Sequence, residues 1–140
     1  MREPYREVAA AILVGTCGHL CLQLRDDIPG ILYPGQIGLF GGHREAGETF
    51  MACVMREIEE ETGQRLPAER FAPLLRLHAR IAEGGGLSGE YFVVRDIDVA
   101  ALRITEGSLL KTRPQDVPAL MPRLTPSAAY VMKIFLAKSN

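Results

Sequence analysis

Val8 to Val14 reads Val-Ala-Ala-Ala-Ile-Leu-Val, an unbroken apolar run closed by Gly15. A strand with one face in water alternates apolar and polar residues, whereas a continuous apolar run marks a strand buried on both faces. Such a strand needs cover on two sides, which commits the chain to a layered fold. The other elements are consistent with layers. After a turn at Gly18, Leu20–Arg25 alternates Leu-Cys-Leu-Gln-Leu-Arg and is expected to pair back as a hairpin. Asp26–Gly35 carries Pro29-Gly30 and Pro34-Gly35 and reads as an ordered loop, and a short apolar piece, Ile37–Phe40, leads into Gly41-Gly42.

Thr49–Thr62 has the length and composition of a helix, with Thr49 as N-cap and Gly63 just past its end. Leu74–Ile81 and Tyr91–Ile97 read as strands separated by Gly84-Gly85-Gly86. Leu102–Lys111 is expected to hold two further short strands around Glu106-Gly107. Thr125-Pro126 opens a last helix with Val131, Ile134, Phe135 and Leu136 as its apolar face. Strands, helix, strands and helix in that order predict a mixed α/β or α+β sandwich. The 140 residues show no repeat or linker and are expected to form one domain over 1–140.

A net charge of −1 provides no general attraction to nucleic acid or to an anionic membrane. A polyanionic ligand would therefore be held locally, by a metal or by a few basic groups. The charged opening, Met1 to Glu7, lacks the apolar core of a signal peptide, and no run approaches the roughly 18 apolar residues of a membrane span. Cys17, Cys21 and Cys53 match no zinc spacing and read as small buried hydrophobes in a reducing compartment, so a cytoplasmic protein is expected.

The unusual stretch is Arg56-Glu57-Ile58-Glu59-Glu60-Glu61. At about 100° per residue, Glu57, Glu60 and Glu61 share one helix face while Glu59 points roughly the opposite way. Carboxylates crowded on one face repel each other, and the helix dipole disfavours them in the last turn. A hard divalent cation with oxygen ligands removes both objections. A solvated acidic face is the commoner meaning of a Glu run; what argues against it here is the preceding loop. Gly41-Gly42 permits a close backbone approach and can aim a carbonyl at the same metal. Glu48 and Arg56 are spaced to form an ion pair that braces loop against helix.

Gly42, Glu48, Arg56-Glu57-Ile58, Glu60-Glu61 and Gly63 meet every fixed identity of the Nudix signature, and the chain resembles the Nudix hydrolase family, MutT-like members included. The one departure is Gln64, where the family has an aliphatic residue. The entry Pro34–Gly42 and the later Leu102–Gly107 also resemble the family. The resemblance implies an α/β/α sandwich with a mixed sheet, one catalytic helix and a C-terminal helix. It implies Mg²⁺, with Mn²⁺ as an alternative, held by Glu57, Glu60, Glu61 and the Gly41 carbonyl. The implied reaction is cleavage of a diphosphate linkage in a nucleoside diphosphate joined to another moiety, X. Glu106 is expected as general base or further metal ligand, with Glu57 the other candidate base and Glu90 a runner-up. Arg25, Phe40, Gly42 and Tyr91 are expected at the substrate, His78 is a weaker candidate lining residue, and His43 is expected to face solvent. A (d)NTP or oxidised nucleotide is the favoured substrate. A nucleotide sugar or ADP-ribose-type compound, or a non-catalytic nucleotide-binding module, is the alternative. The expected partner is a small-molecule nucleotide, with no nucleic acid and no membrane, and a homodimer is left open.

Overall fold

The computed structural model describes residues 5–80 and 85–138. Met1–Pro4, Ile81 at the end of one expected strand, and Gly84 of the glycine triplet lie outside the described residues. The long apolar run becomes β1 (Tyr5–Gly15), and from Ala9 to Gly15 every residue of it is buried. β2 (Leu20–Leu24) returns antiparallel to it, pairing Leu13 with Cys21. β3 (Ile37–Gly38) and β4 (Phe40–His43) follow the loop, then α1 (Phe50–Thr62), β5 (Ala72–Arg80), β6 (Gly86–Ile97) and β7 (Ser108–Thr112). A run of 3₁₀ turns around a short α2 (Val117–Leu120) leads to α3 (Pro126–Lys138).

One mixed sheet contains all seven strands in the order β3-β2-β1-β6-β5, with β4 added to β1 and β7 to β2. β1 and β6 are parallel, and the other pairs are antiparallel. Alternation along β1 divides the core. Ala9, Ala11 and Leu13 face Phe40, Cys53, Val54 and Ile58 under α1. Ala10, Ile12 and Val14 face Val131, Met132 and Phe135 of α3. A strand buried on both faces thus gives an α/β/α sandwich, with one helix layer against each face.

The pairing along the β1–β2 edge matters for the site. β2 pairs with β1 only near the hairpin turn, and β4 occupies the same edge of β1 further back, with Ala9 opposite Gly42 and Ala10 opposite Gly41. The free end of β2 instead lies between β3 and β7, where Gln23 is opposite both Gly38 and Leu109.

Three expectations need correction. Only one strand, β7, occupies the stretch around Glu106-Gly107; residues 102–105 form no strand. Their backbone donors go elsewhere. Arg103 N–H donates to the Thr62 carbonyl and Thr105 N–H to that of Glu61. The Thr105 hydroxyl donates to the Glu60 carbonyl. The last carbonyls of a helix lack partners within it, and this segment supplies them. On α3 the buried face is Ala128, Val131, Met132 and Phe135, with Ile134 and Leu136 only partly buried. Of the cysteines, Cys21 and Cys53 are buried, but Cys17 is exposed in the β1–β2 turn.

Candidate active site

α1 is capped at both ends by the residues the sequence offers. The Thr49 side chain accepts from Ala52 N–H, and Gly63, at φ 76°, closes the helix with its N–H on the Glu59 carbonyl. A left-handed φ at that position suits glycine, which has no Cβ to clash. Ile58, Cys53 and Val54 bury the inner stripe of α1, and this fixes which carboxylates turn toward the sheet edge.

Glu57 and Glu61 turn toward a cavity of about 540 Å³ that Pro126 and Ser127 of α3 also line. Gly41 and Gly42 allow this. A Cβ on Gly42 would overlap the Glu57 carboxylate, and one on Gly41 would overlap the Ala9 carbonyl. Glu61 is only 4% exposed. Its Oε1 accepts from Gly41 N–H at 2.8 Å and its Oε2 from the Gln23 amide at 3.3 Å. A side-chain hydrogen bond with Glu106 also acts on it. Burial first, and then that hydrogen bond, push the Glu61 carboxyl up to about 8, while the Gly41 N–H opposes the shift.

Arg56 is the hub of the loop–helix joint. Its Nε and Nη2 donate to the two oxygens of Glu48 at 2.7 and 3.0 Å, and Nη2 also reaches the His43 carbonyl. Its Nη1 holds Glu57 Oε1 at 2.7 Å and Glu60 at 3.3 Å. The bidentate pairing, with the Glu45 N–H donating to Glu48 as well, holds Glu48 down at about 2. Arg44 adds a second strut, donating to Glu7 and to the Glu48 carbonyl.

The residues singled out from sequence are partly reunited. Arg25, Gly41, Gly42, Glu57, Glu61, Tyr91 and Glu106 all line the one cavity. Arg25 also donates from Nε to the Leu32 carbonyl, tying down the loop after β2. His43 is exposed at the cavity mouth.

Others fall outside it. Phe40 is 0% exposed and packs under α1, while its neighbour Leu39, between β3 and β4, takes the cavity wall. Glu60 is 57% exposed, is drawn toward Arg56 and is not part of the cavity wall. His78 is exposed and stacks on Tyr5 at 4.0 Å, and Glu90 pairs with Arg76 across β5 and β6. Glu59 is exposed on the far side of α1. Gln64, in place of the aliphatic residue, donates to the Ala101 carbonyl.

Arg6 and Ser127 line the cavity without having been marked as site residues, and Tyr33, an available apolar surface in the sequence, lines it as well. Tyr33 adopts φ 53°, unusual for a bulky side chain. Gln23 was missed too, although a Gln within Leu-Cys-Leu-Gln-Leu is a polar residue in an otherwise apolar strand, and that was a readable sign.

Among the described residues no three His, Cys, Asp or Glu side chains stand close enough to hold a metal ion in their present positions. The donor chemistry nevertheless suits a hard cation. Glu57, Glu61, Glu106 and Gly41 all line the cavity, and the buried Glu61 carries a charge penalty that a cation would relieve. No helix of the described residues is long and apolar enough to cross a membrane.

A mixed sheet between two helix layers, with a glycine loop and a carboxylate helix at its edge, defines a Nudix-type sandwich. The NUDIX domain profile matches residues 4–121, and the chain belongs to the Nudix hydrolase family. It is 41% identical to Nudix hydrolase 3 of Arabidopsis thaliana over 68 residues, 48% of this chain and 9% of that protein, so it spans under a tenth of that relative's length. A MutT protein from Methanosarcina mazei Go1 superposes with a TM-score of 0.83 at 16% identity, covering 100% of this chain and 99% of its own. The NUDIX domain of Shewanella oneidensis NrtR, complexed with ADP ribose, gives 0.76 at 17% identity over 99% of this chain and 90% of that one. At such identities the structural likeness is one of fold.

Proposed function

We propose that this chain, as one domain over residues 1–140, is a Mg²⁺-dependent pyrophosphohydrolase. It would cleave the diphosphate linkage of a nucleoside diphosphate joined to X, with a (d)NTP or an oxidised nucleotide as the favoured substrate. The observation that carries this reading is that Glu57, Glu61 and Glu106 line the same cavity as Leu39, Tyr33 and Tyr91. An anionic diphosphate belongs against the carboxylates and a nucleoside against the apolar walls.

In this reading Glu57, Glu61, Glu106 and the Gly41 carbonyl would hold the cation, with Glu60, now paired with Arg56, as a further candidate ligand. Mn²⁺ is an alternative to Mg²⁺ with the same ligands. When bound, the cation neutralises charge on the diphosphate and acidifies a water. The protein residues do the remaining work. Glu48 and Arg56 keep loop and helix in register, and Arg25 offers a cation to a substrate phosphate. The apolar walls exclude water around the nucleoside. Glu106 is the favoured group to take the proton from the attacking water, with Glu57 the alternative. Three unpaired cysteines support a reducing, cytoplasmic setting.

A second reading, binding without turnover, has one observation in its favour: the NrtR NUDIX domain of similar fold is complexed with ADP ribose. A product-resolved screen with Mg²⁺ separates the two. (d)NTPs, oxidised dNTPs, nucleotide sugars, ADP-ribose and dinucleoside polyphosphates are incubated with the protein. Release of nucleoside monophosphate from at least one class is expected. Tight nucleotide binding with no product from any class would favour the binding module.

A further inference from the structure

Gln23 is 4% exposed, comes from a different part of the fold than the carboxylate helix, and belongs to none of the groups assigned above. Its position follows from the pairing of β2, whose free end is held between β3 and β7. From there its amide nitrogen has two acceptors: Glu61 Oε2 at 3.3 Å and the backbone carbonyl of Glu106 at 3.0 Å. One NH₂ group has two protons, so a single side chain can serve both. Glu61 sits on α1 and Glu106 on the segment that caps its C-terminus. Gln23 is therefore the point where sheet, helix and capping segment meet.

We infer that Gln23 is a positioning residue, whose buried amide ties the Glu61 carboxylate to the segment carrying Glu106 and so holds the two carboxylates facing one another. The inference rests on the metal-site reading proposed above. Amide chemistry is what the place requires. Lys or Arg would neutralise Glu61 and compete with a cation for it, and another carboxylate would add repulsion. A neutral donor aims the oxygen and leaves its charge available. The other oxygen of Glu61 is aimed in the same way by Gly41 N–H, also a neutral donor. Groups that orient metal-binding side chains typically change metal affinity by about 10- to 100-fold when removed.

The test uses Mn²⁺ binding to the nucleotide-free protein, followed by electron paramagnetic resonance, alongside kcat, KM and the melting temperature. Gln23→Met keeps length and volume and removes the donor. Its Mn²⁺ Kd is expected to rise about 10-fold or more, with kcat falling and the nucleotide KM unchanged within twofold. In a Glu106→Ala background the same change should have a much smaller effect on Mn²⁺ affinity, since one of the two carboxylates it aligns is gone. Gln23→Asn keeps the amide but shortens its reach, and gives the same test if the Met variant does not fold. Val131→Ala, in the α3 core, should lower the melting temperature and leave Mn²⁺ affinity alone. Wild-type Mn²⁺ affinity in both Gln23 variants would overturn the role of Gln23 alone. A wild-type protein that binds no Mn²⁺ would overturn the metal site and this inference together.

Discussion

Replacing Gly42 by Ala puts a single methyl group against the Glu57 carboxylate in the cavity wall. Its Cβ would stand 2.7 Å from Glu57 Oε1 and closer still to the rest of that carboxyl group. Ordinary non-bonded contact needs about 3.5 Å or more, so the carboxylate must retreat by roughly 1 Å. What it meets is the far end of a flexible side chain, not backbone. The fold can therefore absorb the change at an overpacking cost of about 1 kcal/mol, a few degrees of melting temperature. Catalytic geometry is less forgiving: a misplacement of about 1 Å costs on the order of 100-fold in rate, or about 2.7 kcal/mol of barrier. The prediction is a variant that melts within a few degrees of wild type, with kcat down about 100-fold and weakened Mn²⁺ binding. Gly41→Ala is the contrasting control. There the added Cβ meets the Ala9 carbonyl and Ala10, both in the central strand, and the loss should be one of folding. Steady-state kinetics, Mn²⁺ titration and thermal melts on both variants decide the matter. Wild-type kcat and Mn²⁺ affinity in Gly42→Ala would refute the reasoning, as would a collapse of its stability matching that of Gly41→Ala.

Three more outcomes follow from the same geometry. Glu48, held at about 2 against an ordinary 4.5 by Arg56, contributes stability that is present above pH 4.5 and lost as pH falls toward 2; Glu48→Gln should flatten that acid limb in melts taken across the range. Glu61 is shifted the other way, so in the metal-free protein it favours the folded state below pH 4.5 and that preference is lost as pH rises toward 8. Melts at pH 6 and pH 9 with a chelator should show the decline, and excess Mg²⁺ should remove it; no pH dependence from this group in chelator would contradict the placement of Glu61. Phe40→Ala should cost about 3–5 kcal/mol in urea unfolding and leave nucleotide KM unchanged at temperatures where the variant is folded. A selective rise in KM at full stability would return Phe40 to the substrate.

The carboxylate helix was legible in sequence because its chemistry is local. Glu57 and Glu61 are one helical turn apart, and the caps Thr49 and Gly63 bound the same short segment. β1 was legible because burial on both faces leaves an unbroken apolar run. What escaped depends on contacts between distant segments. Gln23 reaches Glu61 across 38 positions and the Glu106 carbonyl across 83, and no local period encodes either. Residues 102–105 have the composition of a strand, but the open carbonyls at the end of α1 claimed their donors. Phe40 was misplaced by a matter of parity, since Leu39 and Phe40 face opposite layers and the register of β4 on β1 decides which. The short helical turns between β7 and α3 escaped because three prolines, Pro114, Pro118 and Pro122, look like breaks in sequence, yet each sits at the start of a helical turn, where proline is tolerated.

The most direct test of the central claim is the turnover of Glu61→Gln at saturating Mg²⁺ on the best substrate of the screen. The amide nearly matches the carboxyl in size and lacks its charge. The metal-site account predicts a loss of kcat by about two orders of magnitude or more, with the metal-free protein at least as stable as wild type at pH 9. A Glu61→Gln protein that turns over at the wild-type rate would contradict it.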